Sequence, residues 1–205
     1  MTVISKRENF LPISSSDTSE ALLYAITTPL TLTDRSLTDQ ILYFLEMGIQ
    51  RIQIREKEIP VSRWIDDAVC ACREAHRAGA RVLINDRADV ALLVQADGVH
   101  VGQDDLPPCA VRKLNEEWII GQSCSSRTEV DHALADPHVD YVAIGPVFAS
   151  PIKKDESPVG MDLLRYAAGR GKPIIAIGGI DRSNFETVIG AGASMAAMIR
   201  GVWNW

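Results

Sequence analysis

Residues 81–102 read RVLINDRADVALLVQADGVHVG, and this stretch decides the fold. Two short apolar runs, residues 81–86 and 96–102, enclose a segment with a helical pattern. Continuous apolar runs, unlike alternating ones, are typical of parallel strands that are covered on both faces. The stretch therefore predicts a strand, a helix and a second strand lying parallel to the first.

The same pattern recurs along the chain. The apolar runs are residues 22–27, 50–56, 81–86, 96–102, 118–125, 140–147, 172–179 and 193–200. Amphipathic segments such as 34–48 and 60–79 lie between them. Eight strand-then-helix repeats predict an α/β fold, a small (β/α)8 (TIM) barrel with a parallel sheet. An open doubly wound sheet is the alternative, although no GxGxxG motif follows the first run.

The composition fits one domain. The chain has 205 residues, of which 46% are apolar and 23% are charged, enough for one full core. We expect residues 1–20 to form a tail or a short extra helix and residues 21–205 to form the barrel. Only GVWNW follows the eighth run, so the last helix should be very short or missing.

Charge and cysteine content exclude several classes of protein. The formal net charge of −6 argues against non-specific nucleic-acid binding, and no apolar run reaches the 18 residues of a membrane span. The N-terminal segment has no apolar core of signal-peptide length. Four cysteines without a CxxC pair predict reduced thiols in a cytoplasmic protein.

The second run ends in polar side chains that predict an anion site. Side chains that donate hydrogen bonds stand at every second residue: Gln53, Arg55 and Lys57. Strand periodicity places them inside the barrel, while Ile52 and Ile54 face the helices. In this fold the active site lies at the carboxyl ends of the strands, so the donors predict a receptor for a multiply charged anion. A solvated strand end neutralised by Glu56 and Glu58 is the alternative.

Acidic side chains follow the next two runs. Asp86 ends the third run, and Asp104 and Asp105 follow the fourth. Carboxylates at adjacent strand ends can share a hard cation that bridges substrate phosphates, so Asp86 and one of the other two acids are candidate Mg²⁺ ligands. Helix N-capping is the alternative for each acid. We expect His100 to pack within its strand.

The last three runs predict a second anion site. The sixth is followed by GPVFASPIKKDESPVG, a long loop that is either a lid carrying Lys153 and Lys154 or a plain surface loop. Gly178 and Gly179 end the seventh run, where backbone N–H groups can approach a phosphate near a helix that Asp181 is expected to cap. Arg200 ends the eighth run, at the usual phosphate site of such barrels. Two anion sites suit a diphosphate leaving group and a monophosphate co-substrate.

Several motifs together resemble one family. They are LYAIT, GIQRIQIREK, LINDRADVALLVQADGVHVGQDDLP, IIGQS, DYVAIGPVF, KKD, AIGGI and AGAS, in this order over residues 22–200. In these motifs the chain resembles the thiamin phosphate synthases. The resemblance implies a Mg²⁺-assisted transferase that joins hydroxymethylpyrimidine diphosphate to a thiazole phosphate. The products are thiamin monophosphate and pyrophosphate.

The resemblance also implies roles for single residues. Those on the diphosphate and metal side are Gln53, Arg55, Lys57, Asn85, Ser123 and the Mg²⁺ ligands Asp86 and Asp105. Those on the thiazole-phosphate side are the lid lysine Lys153 and Gly179. Of these, Arg55, Lys57 and Lys153 are expected to act in catalysis. The partners would be the two small substrates, with no nucleic acid or membrane, and self-association stays open.

The chain departs from the family on the thiazole side. The family's Pro-Thr-x-Thr-Lys corresponds to residues 149–153, where Ser150 keeps a hydroxyl and Ile152 does not. The family's Val-Val-Ser-Ala corresponds to residues 198–201, where Ile199 and Arg200 stand. We expect Ser150, Ile199 and Arg200 to contact the thiazole phosphate, with Arg200 in place of the family's serine.

Three other functions remain as alternatives. The related thiazole tautomerases lack both acids and carry a histidine where this chain has Ser125. A non-catalytic relative, or one with another acceptor, is the second alternative. The third, a phosphosugar epimerase on the same barrel, has no support from QIREK or the paired acids.

Overall fold

Within residues 19–149 and 157–205, the part of the chain that the computed structural model describes, eight parallel strands close into a barrel. The strands are β1 Leu23–Ile26, β2 Arg51–Ile54, β3 Arg81–Asn85, β4 Gly98–Val101, β5 Ile119–Cys124, β6 Tyr141–Ile144, β7 Ile174–Ile177 and β8 Met195–Met198. Each strand pairs with the next, and β8 pairs with β1. This closure confirms the predicted (β/α)8 barrel and rules out the open sheet.

Helices follow the strands along the outside of the barrel. In the described ranges they are α1 Leu37–Glu46, α2 Ile65–Arg77, α3 Ala88–Leu93, α4 Pro108–Leu114, α5 Arg127–Ala135, α6 Gly160–Ala167 and α7 Phe185–Gly190. The first helix begins after Ser36, whose hydroxyl accepts from the Asp39 N–H at 3.0 Å while Asp39 accepts from the Ser36 N–H. This capping box explains why α1 begins later than the amphipathic pattern does.

The sheet separates two apolar layers. The layer inside the barrel consists of Tyr24, Ile26, Leu83, Ile119, Tyr141, Ala143, Ile175, Met195 and Ala197. A larger layer between the sheet and the helices contains Ile52 and Ile54, as predicted. Gln53 lies between these two isoleucines and points inward, so the alternation of β2 places its polar side chain inside the barrel.

A single 3₁₀ turn, Gly201–Asn204, stands where an eighth helix would lie, as the short C-terminal sequence predicts. The Trp203 ring stacks on Tyr43 of α1 at 4.8 Å, and its Nε1 donates to Thr28 Oγ1 at 2.9 Å. The Trp205 ring meets Phe185 of α7 edge-on at 4.8 Å. Two tryptophans thus cover apolar surface that an eighth helix would otherwise bury.

No helix in the described ranges is long and apolar enough to cross a membrane. The proposed tail falls mainly on residues 1–18, which lie outside the described residues. The predicted domain limits of 1–20 and 21–205 therefore stay a prediction.

The four cysteines are free thiols in two environments. Cys70 and Cys109 are exposed, whereas Cys72 and Cys124 are buried. Burial raises the pKa of Cys72 to about 12, with a smaller contribution from the charge of Asp97. Burial likewise raises the pKa of Cys124 to about 12. Both buried groups stay protonated at neutral pH, and a protonated thiol is a poor nucleophile.

Titration of the folded protein with a thiol reagent should therefore give two fast equivalents and two that react only on unfolding. The double variant Cys70→Ser/Cys109→Ser should lose the fast phase and keep the slow one. Four thiols that react at a single rate in the folded protein would contradict the assigned burial.

Candidate active site

A cavity of about 920 Å³ opens at the carboxyl ends of the strands. All predicted site residues within the described ranges line it. They are Gln53, Arg55, Lys57, Asn85, Asp86, Asp105, Ser123, Gly179, Ile199 and Arg200. The predicted lid residues Ser150, Ile152, Lys153 and Lys154 lie outside the described residues. The barrel brings these ten residues from six strand ends and their loops into one cavity, so their roles can be considered together.

The end of β2 presents cations to this cavity. The Lys57 Nζ lies 2.6 Å from Asp86 Oδ2 at the end of the neighbouring strand. Glu56 is buried and instead accepts the backbone N–H of Leu30 at 2.7 Å and that of Glu58 at 2.8 Å. The alternative in which Glu56 and Glu58 neutralise the cations is therefore wrong, because Glu56 organises the loop and the Glu58 carboxylate accepts from Thr31 Oγ1.

Asp86 stands in a strained backbone conformation. Its φ is 60°, in the left-handed region that residues other than glycine rarely adopt. Its N–H donates to the His100 carbonyl at 2.8 Å, which ties the end of β3 to β4. The strained turn keeps the carboxylate at the cavity wall beside Lys57.

Asp105 lies next to Asp86 although they are far apart in the chain. Its Oδ2 accepts the Gly102 N–H at 2.7 Å. Burial raises the pKa of Asp105, and the adjacent Asp86 carboxylate raises it further. The N-capping alternative is wrong for both acids, because Arg87 and Pro107 occupy the N-cap positions of α3 and α4.

The two carboxylates suit a magnesium ion shared with a phosphorylated substrate. In the described ranges no three His, Cys, Asp or Glu side chains form a metal cage. Mg²⁺, however, usually binds one or two carboxylates together with substrate phosphates and water. Asp86 and Asp105 supply such a pair beside an open cavity. The donors present therefore fit this ion.

Asn85 contributes an amide to the same wall. Its Nδ2 is buried and has no hydrogen-bond partner in the described structure. A buried donor without a partner costs free energy unless a ligand or water accepts from it. Asn85 is thus prepared to donate to an acceptor within the cavity.

Two glycines form the opposite wall. Gly178 has a φ of 100° and Gly179 a φ of 63°. A Cβ on Gly178 would lie 2.5 Å from Pro146 Cα, and one on Gly179 would lie 2.5 Å from the Ala149 carbonyl oxygen. The loops after β6 and β7 can approach this closely only with glycine at both positions.

The predicted helix cap at Asp181 is wrong. Asn184 occupies the N-cap position of α7. Asp181 Oδ1 instead accepts the Ser183 hydroxyl and, at 2.8 Å, the Ser183 N–H. The bond from the hydroxyl, and after it the bond from the N–H, lower the pKa of Asp181. The carboxylate closes a local turn just before α7 begins.

Residues after β8 complete this wall. Ile199 is half-buried against the layer inside the barrel. Arg200 is exposed, stands directly before the final 3₁₀ turn, and forms no ion pair with any residue of the described ranges. Its guanidinium is available to an anion in the cavity.

The floor of the cavity contains groups that the sequence patterns did not reveal. His100 is buried in β4, as predicted, yet its two ring nitrogens lie 2.8 Å from Tyr141 Oη and 2.8 Å from Ser123 Oγ. Tyr24 completes the floor. Tyrosines in apolar runs indicate core packing, so the sequence patterns gave no sign that Tyr24 lines the cavity or that Tyr141 bonds to His100.

The fold and the site define a class of phosphate-handling barrel proteins. At the carboxyl ends of a (β/α)8 barrel, paired acids lie beside cations and face a wall formed by two glycines. Comparison with known proteins narrows the class. Residues 23–202 match the family described as thiamine monophosphate synthase. The chain belongs to the thiamine monophosphate synthase family.

Relatives with similar sequences are named thiamine-phosphate synthase. The chain is 41% identical over 184 residues to the thiamine-phosphate synthase of Gloeobacter violaceus, covering 89% of this chain and 52% of that protein. It is 39% identical over 183 residues to that of Pelotomaculum thermopropionicum, covering 88% and 84%. The chain thus spans about half of the first relative and most of the second.

Solved structures share the architecture. The thiamine phosphate pyrophosphorylase from Pyrococcus furiosus matches with a TM-score of 0.81 at 29% identity, over 91% of this chain and 89% of that one. The thiamine phosphate pyrophosphorylase from Bacteroides thetaiotaomicron matches with a TM-score of 0.62 at 20% identity, a likeness that concerns the fold alone.

Proposed function

We propose that this protein joins hydroxymethylpyrimidine diphosphate to thiazole phosphate and releases thiamin monophosphate and pyrophosphate. The observation that carries this proposal is the adjacency of Asp86 and Asp105 to Lys57, with Lys57 2.6 Å from Asp86. This arrangement suits a diphosphate bound with a divalent cation. The resemblance to the thiamin phosphate synthases suggests these two substrates, and membership of the family supports that choice.

The reaction depends on stabilising the charge of the leaving group and on aligning the two substrates, more than on a general base. The C–O bond between the pyrimidine methylene and the diphosphate breaks, and pyrophosphate leaves with the electron pair. The thiazole nitrogen forms the new C–N bond. Arg55 and Lys57 would hold the diphosphate and stabilise its developing charge, since preorganised cations lower such barriers.

Asp86 and Asp105 would hold the Mg²⁺ ion that we propose as the cofactor. When bound, the ion supplies charge neutralisation on the leaving pyrophosphate. Asn85 Nδ2 and Ser123 Oγ line the same side of the cavity and would orient the pyrimidine diphosphate.

The glycine wall would hold the thiazole phosphate. Backbone N–H groups at Gly178 and Gly179 can approach a phosphate without obstruction by a side chain. Arg200 and Ile199 lie on the same side of the cavity. The roles of Ser150 and Lys153, which the resemblance implies, remain part of this proposal.

Among the described residues, no contact in the cavity supports the tautomerase alternative. Where those relatives carry a histidine, Ser125 stands, and its N–H and hydroxyl are both used by Glu129, at 2.7 and 3.1 Å. Both acids that the tautomerases lack are present. The synthase therefore remains the function that this geometry favours.

We further propose that the protein works in the cytoplasm on these two small substrates. Four free thiols suit a reducing compartment. A formal net charge of −6 suits a partner that is neither nucleic acid nor an anionic membrane.

An assay with purified protein, both half-molecules and Mg²⁺ tests the proposal. Thiamin monophosphate is converted to fluorescent thiochrome while pyrophosphate release is recorded in parallel. We expect both products in equal amounts and only with the cation. Pyrophosphate without thiamin monophosphate would point to another acceptor, and neither product from folded protein would overturn the proposal.

Arg200→Ser separates the two anion sites. The variant should weaken thiazole phosphate binding about tenfold, because a charged hydrogen bond to phosphate is lost, and should leave pyrimidine diphosphate binding nearly unchanged. Calorimetric titration of each substrate measures this. Arg182→Ser is the matched control, since Arg182 lies outside the cavity lining. Equal thiazole phosphate affinity in both variants would contradict the assignment of Arg200.

A further inference from the structure

The acid between the two cations at the end of β2 is buried. Glu56 stands between Arg55 and Lys57 in the chain. Arg55 and Lys57 line the cavity, whereas Glu56 lies outside the cavity lining and is only 9% exposed. Burial of a carboxylate costs free energy unless strong hydrogen bonds compensate for the lost water. The partners of Glu56 therefore indicate what this side chain does.

Each carboxylate oxygen of Glu56 accepts a hydrogen bond from a backbone N–H. Oε1 accepts the N–H of Glu58 at 2.8 Å, which closes a ring of backbone and side chain around Lys57. Oε2 accepts the N–H of Leu30 at 2.7 Å, which ties the same turn to the loop between β1 and α1. The backbone on both sides of Lys57 is therefore anchored by one side chain.

The backbone of Arg55 is held from the same loop. Its N–H donates to Thr27 Oγ1 at 2.9 Å, and the N–H of Thr27 donates to the Gln53 carbonyl at 2.9 Å. Thr27 is fully buried directly after β1, three residues before Leu30. The segment after β1 thus fixes the segment after β2 at both Arg55 and Glu56.

A carboxylate suits this anchor better than an amide does. Both partners of Glu56 are N–H groups, and an ionised carboxylate only accepts hydrogen bonds. Glutamine has the same length, but one end of its amide is a donor, so one of the two backbone N–H groups would lose its acceptor. Bonds to an ionised acceptor are also the stronger kind.

We propose that Glu56 is a positioning residue that directs Arg55 and Lys57 into the cavity without touching the ligand. From the anchored turn, Lys57 Nζ reaches Asp86 Oδ2 at 2.6 Å. Cations held in advance stabilise charge on a leaving group without reorganising during the reaction. The proposal rests on the proposed function, because the diphosphate is the ligand assigned to these cations.

A positioning role and a purely electrostatic role predict opposite results. Glu56 carries a negative charge beside a receptor for an anion. By Coulomb's law alone, removal of that charge should strengthen anion binding. Loss of the anchor should weaken it instead, because the cations no longer stand in one geometry. The sign of the change in affinity therefore separates the two roles.

Calorimetric titration with inorganic pyrophosphate in the presence of Mg²⁺ measures this sign. Glu56→Gln should raise the dissociation constant of pyrophosphate about tenfold. Glu58→Gln is the matched control, since it removes an exposed acid of the same turn that lies outside the cavity lining. Its pyrophosphate affinity should be unchanged or slightly higher. Thiazole phosphate should bind equally well to both variants.

Several results would overturn the proposal. One is pyrophosphate binding in Glu56→Gln that is as tight as in the unmodified protein or tighter. Another is an equal loss of pyrophosphate and thiazole phosphate binding, which would mean a general disturbance of the barrel. No binding of pyrophosphate to the unmodified protein would also overturn it.

Leu30→Pro tests the anchor from its other end and decides the matter if Glu56→Gln does not fold. Proline removes the N–H that Glu56 accepts and leaves every charge in place. Leu30 begins the 3₁₀ turn Leu30–Leu32, and Pro29 before it has a ψ of 138°, which a following proline requires. Pyrophosphate binding should weaken by a smaller factor than in Glu56→Gln, because the bond to Glu58 remains. Unchanged pyrophosphate affinity would overturn the proposal.

This proposal and the proposed function fail in different ways. If no thiamin monophosphate forms while Glu56→Gln still weakens pyrophosphate binding, the positioning role stands and the assigned substrates are wrong. If thiamin monophosphate forms while Glu56→Gln binds pyrophosphate normally, the function stands and the positioning role is wrong.

Discussion

Asp86→Asn should lower turnover by about 10²-fold or more, with the fold unchanged. Asparagine tolerates the left-handed backbone at this position, so the variant removes the charge and leaves the turn. Without the carboxylate, the cation beside the leaving pyrophosphate is held by Asp105 alone. The measurement is the initial rate of thiamin monophosphate formation over a range of Mg²⁺ concentrations.

The matched control is Asp89→Asn. Asp89 pairs with Arg87 at 2.5 Å on the exposed surface and lies outside the cavity lining, so its loss should leave turnover unchanged. Asp105→Asn should lower turnover about as much as Asp86→Asn does. The double variant should be little slower than either single variant, because each of the three variants weakens binding of the same ion. Full turnover in Asp86→Asn, or turnover in excess chelator, would contradict the metal assignment.

Gly98→Ala should have the largest effect on stability, lowering the free energy of unfolding by about 3 kcal/mol. A Cβ at this position in β4 would lie 1.9 Å from the carbonyl oxygen of Ile119 in β5. That oxygen belongs to the backbone and cannot move without disturbing the pairing of Gly98 with Ile119. Urea denaturation followed by tryptophan fluorescence measures the change.

Gly190→Ala provides the control for this prediction. Gly190 ends α7, is exposed, and has no atom within 4 Å of the position that a Cβ would take. Alanine is a better helix former than glycine, so this variant should be neutral or slightly more stable. Equal stability of Gly98→Ala and Gly190→Ala would refute the close approach of β4 to β5.

The fold and most of the candidate site followed from local sequence pattern. Apolar runs indicate buried strands because burial on both faces imposes the same requirement on every residue of the run. Strand periodicity then separated Gln53 from Ile52 and Ile54, and the architecture required polar strand ends to converge. Asp86, one of Asp104 and Asp105, and the pair Gly178 and Gly179 could therefore be assigned to one cavity before any contact was known, and the resemblance to the family then selected Asp105 and Gly179.

Local pattern failed where side chains bond to backbone groups. Glu56 was a plausible partner for the cations, yet the amides of Leu30 and Glu58 bind it. Asp181 was a plausible helix cap, yet its nearest donor is Ser183. In both cases a carboxylate had several possible donors, and the sequence does not state which one lies within 3 Å.

The sequence by itself determined that this chain forms a (β/α)8 barrel with acids, cations and glycines at the strand ends, because these features repeat with the period of the strands. Only the tertiary structure decided which of these side chains form hydrogen bonds and ion pairs with one another. The Tyr24–Tyr141 contact joins residues 117 positions apart, and its hydrogen bonds depend on barrel closure. The contacts of Tyr141 with His100 are of the same long-range kind, which no local pattern encodes.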